Sequence, residues 1–112
     1  MRRTNMYVAY WAPDEDGAPG VLKVGVEKSD QRHREWIRRG AVLLAQFYGV
    51  PASWEKAAHA ALGERFIRAF DSEGDAKWLL GTGYGFSECF LVAPNQQTEA
   101  LRIVAAAIGG TE

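Results

Sequence analysis

The chain has one cysteine, two histidines, four prolines and a formal net charge of -1, and each shortage excludes something. With Cys89 alone there is neither an intramolecular disulfide nor a zinc finger, and a solitary thiol fits a reducing compartment. His33 and His59 do not supply zinc-ligand spacing. No stretch approaches the roughly 18 consecutive apolar residues of a membrane span, and the amino terminus lacks a signal peptide's apolar core. These features predict a cytoplasmic protein with no membrane contact. The near-neutral charge argues against coating nucleic acid through bulk charge alone.

What is present suits one globular domain over residues 1–112, with 47% hydrophobic and 24% charged residues. Four tryptophans, five phenylalanines and four tyrosines can fill a core without metal or disulfide. Charge is unevenly spread. Arg32, His33, Arg34, Arg38 and Arg39 stand against the single acid Glu35, while acids gather at Asp14 to Asp16 and from Asp71 to Asp75. Such a basic patch can hold a phosphate backbone, which makes Arg38, Arg39 and His33 candidate nucleic-acid contacts, with His59 added from farther along the chain.

The chain divides into short elements. "NMYVAYWAP" predicts a first strand over 6–12, "PDEDGAPG" a solvated loop, and "VLKVGV" a second strand. Ser29 or Asp30 is positioned to cap a helix through "QRHREWIRR", with Trp36 and Ile37 as its buried edge and Gly40 as its stop. "AVLLAQFYGV" favours a third strand. "ASWEKAAHAALGERF" spaces Trp54, Ala58, Ala61 and Leu62 as a helical stripe, with Glu55 and His59 at its margin. "KWLLGTGYG" is ambiguous, its glycines reading as a turn, since they do not match a dinucleotide-binding loop. "FSECFLVA" reads as a short strand, before a last helix from Asn95 to Ile108 closed by Gly109-Gly110.

Lys23 sits alone in an apolar alternation, on the same strand face as Gly25. A strand lysine is ordinarily solvated, but the adjacent glycine leaves room for a close approach. Cys89 reads as a small core residue. Taken singly, Glu55 reads as a helix-dipole partner and Glu88 as a surface acid.

In order, these segments resemble the GIY-YIG nuclease superfamily, most closely its bacteriophage-type DNA-binding domain branch, over roughly residues 6 to 92. The resemblance rests on "VAY", "PGVLKVG", "RHREW", "WEKAAHAAL" and "ECF". It implies that Tyr10 is the first-motif tyrosine, with Tyr7 as the alternative, and that Lys23 replaces the second-motif tyrosine, as is usual in that branch. It implies a helix arginine at Arg32 or Arg34, and a metal-holding glutamate at Glu55 for a single Mg2+ (or Mn2+). Glu88 falls in a late acidic-aromatic signature read as structural. Val8 stands where the first motif has glycine.

The expectation is therefore an α/β (α+β) domain with a small, mainly antiparallel three-stranded sheet flanked by helices. Its expected function is that of a metal-dependent DNA endonuclease. Tyr10, Lys23, an α-helical arginine and Glu55 should converge on one cleft, with Tyr10 and Lys23 positioning or deprotonating the attacking water. The alternatives are a non-catalytic DNA-binding module of this fold and a small protein-interaction domain. The latter would use exposed tryptophans and the alanine-rich last helix to form a homodimer or bind a partner.

Overall fold

The computed structural model describes residues 3–81 and 85–109. Strands β1 (Arg3–Trp11) and β2 (Gly20–Glu27) form an antiparallel pair, followed by helix α1 (Gln31–Arg38) and strand β3 (Val42–Pro51). Helices α2 (Ser53–Arg65) and α3 (Glu73–Leu80), strand β4 (Cys89–Val92) and helix α4 (Gln97–Gly109) complete the α+β fold. The antiparallel sheet runs β3-β1-β2-β4. It has four strands, one more than expected, because β4 pairs with β2 from Gly20↔Val92 to Lys23↔Cys89.

Both faces of the sheet are covered. On one, Met6, Val8, Tyr10, Leu22 and Val24 pack against Ala58 and Leu62 of α2 and Val104 of α4. On the other, Tyr7, Ala9, Trp11 and Val21 meet Trp36 of α1 and Ala76 and Leu80 of α3. Double coverage explains why β1 is apolar at consecutive positions, when alternation is expected only of a sheet with one wet face.

The helix ends differ from expectation in instructive ways. Neither Ser29 nor Asp30 caps α1 by its side chain. Glu27, at the end of β2, takes that part by accepting the His33 N–H at 3.0 Å. The buried stripe of α1 is His33 and Trp36, three residues apart, so the helical turn carries Ile37 outward to 46% exposure. The ambiguous "KWLLGTGYG" begins as α3, whose first turn is capped by Ser72 Oγ accepting the Asp75 N–H at 3.3 Å and which ends at Gly81 in the left-handed region. Residues 82–84 of its glycine-rich turn lie outside the described residues.

A short 3-10 turn, Pro94–Gln96, precedes α4, and Gln96 secures it, its Oε1 accepting the Ala93 N–H at 3.0 Å. Gly109 is the last residue of α4, and Gly110 lies outside the described residues. The apolar side of α4 is already occupied, burying Ala100, Val104 and Ile108. Of the four tryptophans only Trp78 is exposed, so the surface expected of a protein-interaction domain is reduced. Among the described residues no helix is long and apolar enough to cross a membrane.

Candidate functional site

Pairing in an antiparallel sheet puts partners on the same face, and the register decides which tyrosine joins Lys23. Tyr7 faces Gly25 and Ala9 faces Lys23, so Tyr7 and Lys23 share one face. Tyr10 faces Leu22 on the other, where its hydroxyl donates to the Val92 carbonyl at 2.7 Å within the core. Tyr10 is therefore a packing residue and Tyr7 the tyrosine near the lysine. The expected place of Tyr10 beside Lys23 thus passes to the alternative, Tyr7, because strand parity puts Tyr10 on the opposite face.

Lys23 is fully buried. Its Nζ donates to the Gly85 carbonyl and to Glu88 Oε2, both at 3.3 Å, and lies 5.5 Å from the centre of the Trp36 ring. A carboxylate, a carbonyl and an indole face are the surroundings an ammonium needs away from water. Trp36 in turn donates its indole N–H to the Tyr7 hydroxyl at 2.7 Å. Burial raises the Tyr7 phenol far above its ordinary range, and the Glu88 charge adds to this, while the Trp36 hydrogen bond and the Arg32 charge oppose it. Tyr7 thus keeps its proton at neutral pH and is not poised as a base.

β4 starts at Cys89, so Val24 lies one residue past the last β2–β4 pair. Its carbonyl takes a hydrogen bond from His59 Nε2 at 2.7 Å. A carbonyl only accepts, so Nε2 carries the hydrogen. Burial lowers the His59 pKa, the Val24 contact partly opposing it, and the neutral ring keeps a lone pair on Nδ1. One turn earlier on α2 stands Glu55. Glu55, His59 and Glu88 are all partly buried, and each offers a ligand atom within 4.8 Å of those of the other two. Glu55 is pushed up to about 7, first by burial and then by the charge of Glu88, with Lys23 opposing and a hydrogen bond shared with Glu88 adding to the rise.

The site therefore forms where the short β4 begins. Glu55 and His59 reach round from the α2 side, Lys23 and Tyr7 from the α1 side, and Glu88 stands between them. Glu88, expected to be structural, is the junction of the cluster. Its sequence signal resembles that of Lys23: it is the only acid between Asp75 and Glu99, immediately before a buried strand.

The remaining candidates separate. Arg32 is exposed, but its charge is felt at Tyr7. Arg34 points to solvent and pairs with Asp30 at 3.7 Å. Arg38 and Arg39 both bind Glu35, at 2.8 and 3.1 Å, so half of their charge is answered within the helix. His33 is no surface contact. It is buried, with Nδ1 2.6 Å from Glu27 Oε2, because α1 turns that position inward beside Trp36. His59 likewise belongs to the carboxylate cluster rather than to a basic surface. Cys89 is buried and its thiol is pushed up to about 12, chiefly by burial, so it is inert packing.

Comparison with known proteins finds no matching family model, no matching curated protein and no matching solved structure.

Proposed function

We propose that the chain is a metal-dependent endonuclease that hydrolyses phosphodiester bonds in DNA. The observation that carries this reading is the meeting of Glu55, Glu88 and His59 over the buried ammonium of Lys23. Two carboxylates facing each other at a partly dry site repel, and a cation bound between them relieves that repulsion. The donor set fits a divalent ion, with Glu55 and Glu88 supplying oxygens and His59 a nitrogen. Such an ion, when bound, would stabilise the charge that develops on a phosphoryl oxygen.

The chain's own residues divide into two layers. Glu55, Glu88 and His59 are partly exposed and within reach of a substrate, whereas Lys23 and Tyr7 lie behind them. Lys23 is thus a positioning residue that fixes Glu88, and Tyr7 and Trp36 fix the space beside Lys23. Arg32, on the exposed side of α1, offers a guanidinium fork to a phosphate.

The test is nicking of supercoiled plasmid and branched DNA with Mg2+, Mn2+ or chelator. Cleavage should require the ion and should be abolished by Glu55→Gln with DNA binding retained. Protein that binds these substrates and never nicks them would favour the non-catalytic DNA-binding module.

A further inference from the structure

We infer that Glu55, His59 and Glu88 together form a three-ligand site selective for a first-row transition ion such as Mn2+ over Mg2+. The inference rests on the nuclease reading only for its relevance to cleavage, since ion selection is a property of the donors. Three ligand atoms from two elements lie within 4.8 Å of one another, close enough for a single ion to touch all three after small side-chain movements.

An independent observation concerns the orientation of His59. A ligating histidine characteristically donates its other ring N–H to a carbonyl or carboxylate, which sets the tautomer and aims the free nitrogen. His59 does this through Nε2–H to the Val24 carbonyl, at the point where the sheet edge has lost its partner strand. Glu88 is held from behind in the same way. Its Oε2 accepts from Lys23, itself anchored on Gly85. A carboxylate and an imidazole of the cluster thus each have a partner outside it, and the Val24 contact leaves the lone pair of His59 on Nδ1.

The choice of ion follows from the nitrogen. Mg2+ dehydrates reluctantly and prefers an all-oxygen octahedron, whereas imidazole suits transition ions, with Mn2+ accepting both donor types. One imidazole among two carboxylates shifts the balance away from Mg2+. The buried ammonium tempers the charge of Glu88, so the site does not rely on a dense negative cage.

Mn2+ binding by the full chain would be followed by electron paramagnetic resonance without DNA, and Mg2+ added as competitor. We expect Mn2+ to bind at least about tenfold more tightly than Mg2+, Glu88→Gln to weaken Mn2+ by about tenfold or more, and His59→Gln to bring the two ions within about threefold. Circular dichroism and thermal melts check folding; if Glu88→Gln fails to fold, Glu88→Asp and His59→Gln carry the test. Equal affinity for the two ions, or Mn2+ binding indifferent to both positions, overturns the inference. Absence of Mn2+ binding overturns it too, while a Mg2+-dependent nuclease relying on Glu55 alone could stand. Selective Mn2+ binding without DNA cleavage upholds the site and counts against the nuclease.

Discussion

The Tyr7 ring lies across its strand partner Gly25, so that a Cβ at position 25 would collide with the phenol oxygen. The glycine beside the lysine is therefore room for a tyrosine. That placement lets Tyr7 accept the Trp36 N–H and lets Trp36 lie over Lys23. One missing side chain on β2 thereby supports three residues of the site.

Gly25→Ala should accordingly displace Tyr7 and loosen the layer behind Glu88. The overpacking should cost about 1–3 kcal/mol of stability. Nicking activity should fall further than stability explains. Urea melts and single-turnover cleavage, compared at equal folded fraction, test this; unchanged cleavage would detach Tyr7 from the site.

The two tyrosines should separate cleanly. Tyr10→Phe removes a buried hydrogen bond to Val92 and should cost about 1 kcal/mol while leaving cleavage intact. Tyr7→Phe leaves the Trp36 N–H without its acceptor and should reduce both stability and cleavage. Cleavage lost on Tyr10→Phe at full folding would reverse the assignment.

Stability should fall as pH rises through the range where Glu55 titrates. Its folded pKa of about 7 exceeds its ordinary 4.5, so between these values the unfolded chain releases a proton that the folded chain retains. Below that window both states are protonated and the penalty is absent; above it the penalty is complete. Because Glu55 is partly exposed and water screens it, the effect should be a few degrees in Tm. Glu55→Gln should match wild type near about pH 4 and melt higher near about pH 8. Parallel Tm profiles for the two proteins would contradict this.

DNA affinity should depend steeply on salt, but the arginines should not count equally. Arg32 has no ion-pair partner among the described residues, and Arg32→Ala should lower the logarithmic salt slope by about one. Arg38 and Arg39 hold Glu35 below its ordinary carboxylate range, Arg38 foremost by its hydrogen bond. Glu35→Gln should therefore strengthen binding across unrelated DNA sequences. Fluorescence anisotropy over a salt series decides it, and a flat response would favour a protein-interaction role.

Lys23→Met should cripple cleavage without preventing DNA binding. Its salt bridge to Glu88 is replaced by an apolar chain, leaving a carboxylate without its buried cation. A role confined to packing would leave the pH profile of cleavage unchanged, whereas loss of the ammonium should shift that profile upward, because Lys23 opposes the rise at Glu55. Cleavage measured from about pH 6 to about 9 distinguishes the two.

Much of this molecule was determined locally. The apolar and branched runs specified β1, β2 and β3, and the alanine-rich spacing specified α2, because burial of a periodic face dominates a short segment whatever it packs against. Lys23 and Glu55 could be singled out because a charge at an apolar margin is conspicuous in one dimension. Tertiary structure alone decided the rest. Whether Tyr7 or Tyr10 accompanies Lys23 depends on strand parity, since a one-residue shift exchanges the two faces. That His33 turns inward depends on Glu27 replacing the expected cap. Glu88 joins Lys23, Glu55 and His59 because β4 begins only at Cys89 and leaves the end of β2 open to α2, a pairing length that no residue of β4 announces by its own chemistry.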